Sequence, residues 1–195
     1  EDFTAVSEEP AVQAVALSRQ ERMERAALRG TTVHKILERM DISSIGSLKD
    51  VYGLMDRLTA AGIIDEVGAS LVYVPGLYQF ARSETAGRMA KAKANGALYR
   101  EKQFVIGVPV SQVYRDREDD DMVLIQGIID AWFIEDSQAV IVDYKTDFVP
   151  DDGESLVKKY KTQLDYYGLA LEQMTGLKVK EKIIYSLSLG KEIFV

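Results

Sequence analysis

The amino-acid sequence predicts an α/β fold with a central mixed β-sheet, helices flanking the sheet, and a helical N-terminal part. Two changes of pattern along the chain predict it. Through most of the first 95 residues apolar side chains recur at helical spacing, whereas after Gly96 the chain turns to runs rich in β-branched and aromatic residues. A long helical stretch then separates the third strand-like run from the fourth, which returns the chain to the sheet.

The N-terminal part is predicted to be helical after a short polar start. Residues 1–12 are expected to be a linker or a disordered end, because they are polar and acidic and include Pro10. A first helix is predicted over 12–28, and Gly30 separates it from a second helix over 31–40. Ser47 is a favourable N-cap for a third helix over 47–60, whose apolar residues repeat at helical spacing.

The rest of the chain is predicted to alternate between strands and helices. Residues 61–95 are harder to interpret, and we expect a short extended piece over 71–74 and a helix over 83–93. The predicted strands cover residues 103–114, 122–133, 138–146 and 182–187, and the long helix covers 153–174. This length fits a single domain over residues 13–195.

The second and third predicted strands are expected to form a hairpin that brings two acids together. With Asp136 and Ser137 as the central residues of a two-residue turn, Asp130 faces Asp143 across the hairpin. Directly opposed side chains lie about 5 Å apart on one face of a sheet, where two like charges are destabilising. A loop of another length would shift this register.

A divalent cation removes the conflict between the two acids. Carboxylate oxygens are preferred ligands of hard cations such as Mg²⁺, Mn²⁺ and Ca²⁺. Period-two alternation also places Lys145 on the face of Asp143, about 7 Å along the strand. The three side chains therefore predict a metal-assisted hydrolytic site, in which the lysine assists the attacking water or the developing negative charge. The alternative is a solvated ion pair of Asp143 and Lys145 at the strand end.

Spacing alone leaves two further candidates open. Gln163 and Tyr167 share one edge of the long helix with Tyr160 and can face the site, but both tyrosines also belong to an apolar core stripe. His34 is the only histidine and borders the apolar stripe of the second predicted helix. A histidine in such a place is more often a boundary residue with satisfied hydrogen bonds than a metal ligand.

The composition narrows the function classes. A net charge of −7 and a pI near 4.9 oppose a protein that binds nucleic acid by broad phosphate neutralisation, so we expect weak DNA affinity in isolation. The absence of cysteine excludes disulfides, thiolate zinc sites and cysteine-bound iron–sulfur clusters. No apolar run is long enough to span a bilayer and no secretory signal is visible, so we expect no membrane partner and a location in the bacterial cytoplasm.

Four segments of the sequence together resemble a known family. In chain order, GTTVHKIL, QGIID, DYKT and QLDYY resemble the nuclease domain of RecB-type recombination enzymes in the PD-(D/E)xK superfamily, and most closely its AddA-type branch. The segments span Gly30 to Tyr167, so the resemblance covers most of the chain. It implies a PD-(D/E)xK fold and a metal-dependent deoxyribonuclease.

The resemblance also implies a set of metal ligands. The histidine of its GxxxH motif falls on His34, and the aspartates of its GxxD and D-x-K motifs fall on Asp130 and Asp143. The backbone carbonyl of Tyr144 often completes the metal shell in relatives. A glutamate before the first core strand also recurs in relatives, and Glu101 is a loose candidate for it.

The remaining motif residues imply the rest of the active site. Lys145 matches the catalytic lysine, and Gln163 and Tyr167 match a QxxxY motif that faces the active site and the DNA strand. Two features depart from related enzymes. The lack of cysteine excludes the iron–sulfur cluster of AddB-type and Cas4-type nucleases, and the absence of a GxxxxGK[ST] loop implies no ATP site.

The expected protein is therefore a fragment of an ATP-dependent helicase–nuclease that uses Mg²⁺ to hydrolyse DNA, as a single-strand exonuclease in double-strand-break processing and recombinational repair. Its expected partners are DNA, the helicase portion of the parent chain and an AddB-type subunit. One alternative is a non-catalytic nuclease-fold module that binds a partner subunit or a DNA end. Another is a stand-alone junction resolvase, which would act as a symmetric dimer.

Overall fold

The computed structural model describes residues 17–113 and 121–195. The predicted N-terminal linker, the start of the first predicted helix and the predicted strand end at Tyr114 lie outside these residues. No helix in the described ranges is long and apolar enough to cross a membrane.

The N-terminal part forms a layer of five helices. They are α1 (Arg19–Arg39), α2 (Leu48–Ala60), α3 (Glu66–Ser70), α4 (Val74–Ala81) and α5 (Glu84–Ala94), with a 3-10 turn at Ile42–Ser44 between α1 and α2. Capping boxes begin α1 at Ser18 and α2 at Ser47, each with an acidic side chain three residues on.

Two predictions in this part are wrong. Helix α1 runs through Gly30 without a break, because a glycine costs a helix interior only about 1 kcal/mol and the buried face of α1 continues past it. The extended piece over 71–74 is absent from the described chain. Leu71 instead closes α3, and Val74 begins α4, where Pro75 in the first turn presets a helical backbone.

The C-terminal part forms a five-stranded mixed sheet in the order β1-β2-β3-β4-β5. The strands are β1 (Leu98–Pro109), β2 (Met122–Glu135), β3 (Gln138–Lys145), β4 (Val179–Ser186) and β5 (Lys191–Phe194). A short helix α6 (Val110–Val113) follows β1, and α7 (Glu154–Thr175) connects β3 to the parallel strand β4, while the other neighbours are antiparallel. The predicted fold class is confirmed, although β1 begins earlier than predicted and β5 was not predicted.

The sheet lies between two helical layers. One face packs against α1, α2, α4 and α5 through alternating side chains of β2, β3 and β4, including Phe133, Val140, Val142 and Tyr185. The other face packs against α7 through side chains that include Ile129, Trp132 and Ile141. Both sides of β3 are therefore buried, as its continuous apolar run predicts.

Strands β1 and β2 exchange their two faces at one point. Phe133 of β2 faces the N-terminal helices, yet Ile129, four residues earlier, faces the α7 layer. Regular alternation would keep two residues of equal parity on one face. The pairing of β1 with β2 runs from Leu98–Phe133 to Pro109–Met122 but skips Glu101 and Asp130, and Glu101 has a left-handed backbone (φ 48°). Asp130 therefore lies at an irregular point of the sheet, between the two helical layers.

The β2–β3 hairpin has the predicted register. Asp136 and Ser137 both have positive φ, 53° and 61°, which is the backbone of a type I′ turn. Glu135 pairs with Gln138, and the pairing continues to Ala131 and Val142. The next positions along the two strands are Asp130 and Asp143.

Candidate active site

The carboxylate of Asp130 takes over where the β2–β3 pairing stops. Beyond Ala131 and Val142 no further pairing is formed, and the backbone N–H of Tyr144 donates to Oδ2 of Asp130 at 2.8 Å. The side chain is 7% exposed. This bond fixes one oxygen of Asp130 and leaves the other directed to its neighbours.

Asp143 is a fully buried acid without a hydrogen-bond donor. Its exposed fraction is 0%, and neither carboxylate oxygen accepts a hydrogen bond within the described residues. Nζ of Lys145 lies 2.7 Å from Oδ2, an ion-pair distance whose angle does not make a hydrogen bond. Burial, followed by the charge of Asp130, raises the pKa of Asp143 to about 6, against the opposing effect of Lys145. A buried carboxylate of this kind is a group that needs a cation.

Lys145 is held by three neighbours. Besides the ion pair with Asp143, its Nζ donates to Oε1 of Gln163 at 3.4 Å and lies 4.2 Å from the ring centroid of Tyr160. Cation–π contact and the ion pair both favour the charged ammonium. Tyr160 in turn donates its hydroxyl to Asp147 at 2.9 Å, so the ring is fixed below the lysine.

His34 reaches the site from α1. Its Nδ1 lies 3.2 Å from Oδ1 of Asp130, and its Nε2 lies 3.1 Å from the carbonyl oxygen of Tyr144. Burial lowers the pKa of His34, but the hydrogen bond and charge of Asp130 outweigh it, so the pKa is raised above its usual value. The ring therefore contacts two of the predicted metal ligands, as a third ligand would have to do.

Glu101 joins His34 and Asp130 in a cluster of possible metal ligands. One ligand atom from each of the three residues lies within 4.8 Å of the others. Burial and the charge of Asp130 raise the pKa of Glu101. Pattern reasoning did not assign Glu101 to the metal, and the only signal in the sequence is its position opposite Asp130 when the β1–β2 register is extended.

Gln163 and Tyr167 occupy the two sides of the ambiguity that their spacing left. Gln163 faces the site through Lys145 and donates its amide to the hydroxyl of Tyr167. Tyr167 is 7% exposed and packs edge-on against Phe104, with ring centroids 5.6 Å apart, in the α7 core. Its ring is therefore core and its hydroxyl lies at the border of the site.

The structure thus brings the predicted residues to one place, in two adjoining groups. His34, Asp130 and the Tyr144 backbone form the first, and Glu101 extends it. Asp143, Lys145 and Gln163 form the second, on the side of α7. Asp143 does not join the 4.8 Å cluster found in the described residues, since its carboxylate is turned to Lys145.

Comparison with known proteins agrees with this geometry. The family model of the PD-(D/E)XK nuclease superfamily matches residues 11–192, which is nearly the whole chain. The chain belongs to the PD-(D/E)XK nuclease superfamily. In this family's terms, Asp130, Asp143 and Lys145 are the residues that match its two acids and its lysine, and the resemblance seen in the sequence is confirmed.

Relatives with a curated name are subunits of a larger enzyme, the ATP-dependent helicase/nuclease, and all are of its AddA type. The relative from Lachnoclostridium phytofermentans is 38% identical over 90% of this chain, and the one from Clostridium acetobutylicum is 37% identical over 85%. The Clostridioides difficile relative is 35% identical over 85% of this chain. The chain spans only 14–15% of the length of these relatives.

The PD-(D/E)XK motif glycine of QGIID has a steric reason in this structure. A Cβ at Gly127 would lie 2.9 Å from two ring atoms of Phe104 and 3.5 Å from the ring of Tyr167. Those two rings pack where α7 crosses β1 and β2. Gly127 therefore lets the QxxxY tyrosine approach the strand that carries Asp130.

Proposed function

We propose that residues 13–195 form the metal-dependent nuclease domain of a larger helicase–nuclease subunit, and that its substrate is DNA. The observation that carries the proposal is the buried Asp143 carboxylate, which lacks a hydrogen-bond donor and lies beside a second buried acid and a lysine. A charge that is buried in this way is costly unless a counter-ion is bound. A fold that had no cation to hold would be more stable without it.

The residues present fit a hard divalent cation, of which Mg²⁺ is the proposed one. Asp130, Asp143, His34 and the carbonyl of Tyr144 would hold it, with Glu101 as an additional carboxylate. When bound, such an ion polarises a phosphate oxygen and lowers the pKa of its water. Mn²⁺ and Ca²⁺ are expected to replace Mg²⁺ in binding.

Lys145 supplies a fixed positive charge next to the acids. Its ammonium is held by Asp143, by Gln163 and by the face of Tyr160, so it needs little reorganisation to meet a reacting phosphate. In that place it stabilises the negative charge that develops on the phosphorus oxygens, or orients the attacking water. Gln163 limits the position of Lys145, and Tyr167 limits the position of Gln163.

The setting of this activity is proposed from the named relatives. Because they are helicase/nuclease subunits, we infer that a motor elsewhere in the parent chain delivers DNA to the domain, and that an AddB-type protein is its partner. We propose hydrolysis of single-stranded DNA from an end, in double-strand-break processing and recombinational repair in the bacterial cytoplasm. The net charge of −7 agrees with a domain that leaves most DNA binding to its neighbours.

Cleavage of end-labelled DNA tests the proposal. The chain is incubated with single- and double-stranded oligonucleotides in Mg²⁺, in Mn²⁺ and in EDTA. We expect cleavage with either cation and none in EDTA, and loss of cleavage in Asp143→Asn and Lys145→Met. The matched control is Asp56→Asn on the exposed surface of α2, which should cleave as the wild type does. Cleavage that survives Asp143→Asn would end the assignment, and cation binding without any cleavage would favour a non-catalytic module.

A further inference from the structure

A cavity lies at the carboxyl ends of β3 and β4, directly beyond the catalytic lysine. Its volume is about 310 Å³, and Thr146, the residue after Lys145, forms part of its wall. Because β3 and β4 are parallel, Thr146 and Leu187 leave the sheet at the same edge, and the Leu187 N–H donates to the Lys145 carbonyl at 2.9 Å. Ligands of α/β sheets commonly bind outside such strand ends.

The cavity combines an apolar floor with two exposed aromatic rings. Val33 and Leu71 contribute to the floor, and Tyr73 and Phe148 stand at the opening. Tyr73 is 56% exposed and Phe148 is 85% exposed. An aromatic ring this exposed, at the mouth of an apolar cavity beside a reactive centre, is a surface on which a flat ligand can stack.

A cation with a free donor completes the cavity. Arg29 of α1 donates from Nη2 to the carbonyl of Thr146 at 3.1 Å, which holds its guanidinium at the wall. Its Nε is buried and has no acceptor within the described residues. A buried donor without a partner is expected to bind an acceptor that arrives with a ligand. The ligand should therefore combine a flat π-face with hydrogen-bond acceptors and be attracted by positive charge.

We propose that this cavity binds one nucleobase of a single-stranded DNA substrate, stacked on Phe148 and accepting from Arg29, while the adjoining phosphate lies at the metal and Lys145. This inference deepens the proposed function and rests on it. Bases of a duplex are stacked and paired, so only a single strand can present a base to an apolar cavity. The cavity would thus select single strands at the site of cleavage, independently of the base sequence, because every base has a π-face.

Binding of two matched probes tests the inference. Dissociation constants are measured by fluorescence anisotropy for a labelled oligothymidylate and for a strand of equal length built of abasic units, with Ca²⁺ in place of Mg²⁺. We expect the wild type to bind the thymidylate more tightly, and Phe148→Ala to weaken that binding by about 5- to 150-fold, as loss of one base stack does. The abasic probe should bind equally to both proteins.

Two further variants separate stacking from other effects. Phe148→Trp keeps an aromatic face and should restore most of the affinity for thymidylate. Tyr52→Ala removes an exposed ring on α2 that lies outside the cavity and should change neither probe. Equal binding of the two probes to the wild type would overturn the inference, and so would a loss in Phe148→Ala that is the same for both.

The cleavage assay keeps this inference apart from the proposed function. If the wild type cleaves DNA with Mg²⁺ but Phe148→Ala binds thymidylate unchanged, the cavity assignment alone fails. If the base-dependent binding is found and no cation supports cleavage, the nuclease assignment fails and the base site stands.

Discussion

Replacing Asp143 with asparagine keeps the shape of the side chain and removes its buried charge. Burial and the charge of Asp130 raise the pKa of Asp143 in the folded chain to about 6, against an ordinary value of 3.8. This difference corresponds to about 3 kcal/mol by which the ionised acid destabilises the metal-free fold at neutral pH. We therefore expect Asp143→Asn to abolish cleavage and yet to raise the free energy of unfolding by about 3 kcal/mol in EDTA.

The pH dependence of this gain follows from the direction of the shift. A carboxyl whose pKa is raised by folding binds its proton more tightly in the folded chain, so the penalty is absent below about pH 4 and grows as the pH rises to about 6. Above that pH it stays constant. The stability difference between Asp143→Asn and the wild type should therefore rise by at most about 1.4 kcal/mol per pH unit across this interval.

Urea unfolding in EDTA at several pH values measures the difference, provided that each transition is two-state. Asp56→Asn, an exposed acid on α2, is the control and should show no such gain. Saturating Mg²⁺ should narrow the difference, because a cation at about 100 times its dissociation constant stabilises the wild type by about 2.7 kcal/mol. A difference that does not change with pH, or an asparagine variant that is less stable at pH 7.5, would refute the reasoning.

Three other substitutions probe separate parts of the molecule. His34→Ala should weaken Mn²⁺ binding at least about tenfold in calorimetry, because even the outer partners of metal ligands are worth that much, and an unchanged affinity would remove His34 from the metal shell. Tyr160→Leu should lower kcat by about 2- to 30-fold through loss of the cation–π contact, and Tyr160→Phe should retain most of it; equal rates in the two variants would contradict the positioning role. Arg88→Met should destabilise the fold by about 2 kcal/mol in urea without changing metal affinity, because the Arg88 side chain joins Glu135 of β2 to Glu181 of β4, and a stability equal to that of the wild type would show that these bonds contribute nothing.

The sequence predicts the acidic pair well because local chemistry determines it. A two-residue turn at Asp136 and Ser137 sets the register of the hairpin, and the register then places Asp130 beyond the last pair on the strand opposite Asp143. The burial of Asp143 is equally local, since the apolar run before it identifies an interior strand. These features need no information from distant parts of the chain.

Other features depend on tertiary contacts that no local pattern encodes. Helices α3 and α4 are short, so their apolar residues do not distinguish a helix from a strand, and the extended piece over 71–74 was predicted instead. The place of Glu101 depends on an irregular point where two strands exchange faces, with a left-handed backbone that its sequence does not signal. His34 bordered a core stripe in the sequence, and only the crossing of α1 over the end of β3 brings it to Tyr144.

The most direct test of the central claim is a crystal of the wild-type chain soaked in Mn²⁺ and measured for anomalous scattering. The account predicts a peak in contact with the carboxylates of Asp130 and Asp143, with the Tyr144 carbonyl and His34 completing the shell, and with Lys145 withdrawn from Asp143. A fully soaked crystal without a peak between the two acids, or with manganese bound only elsewhere, would contradict it.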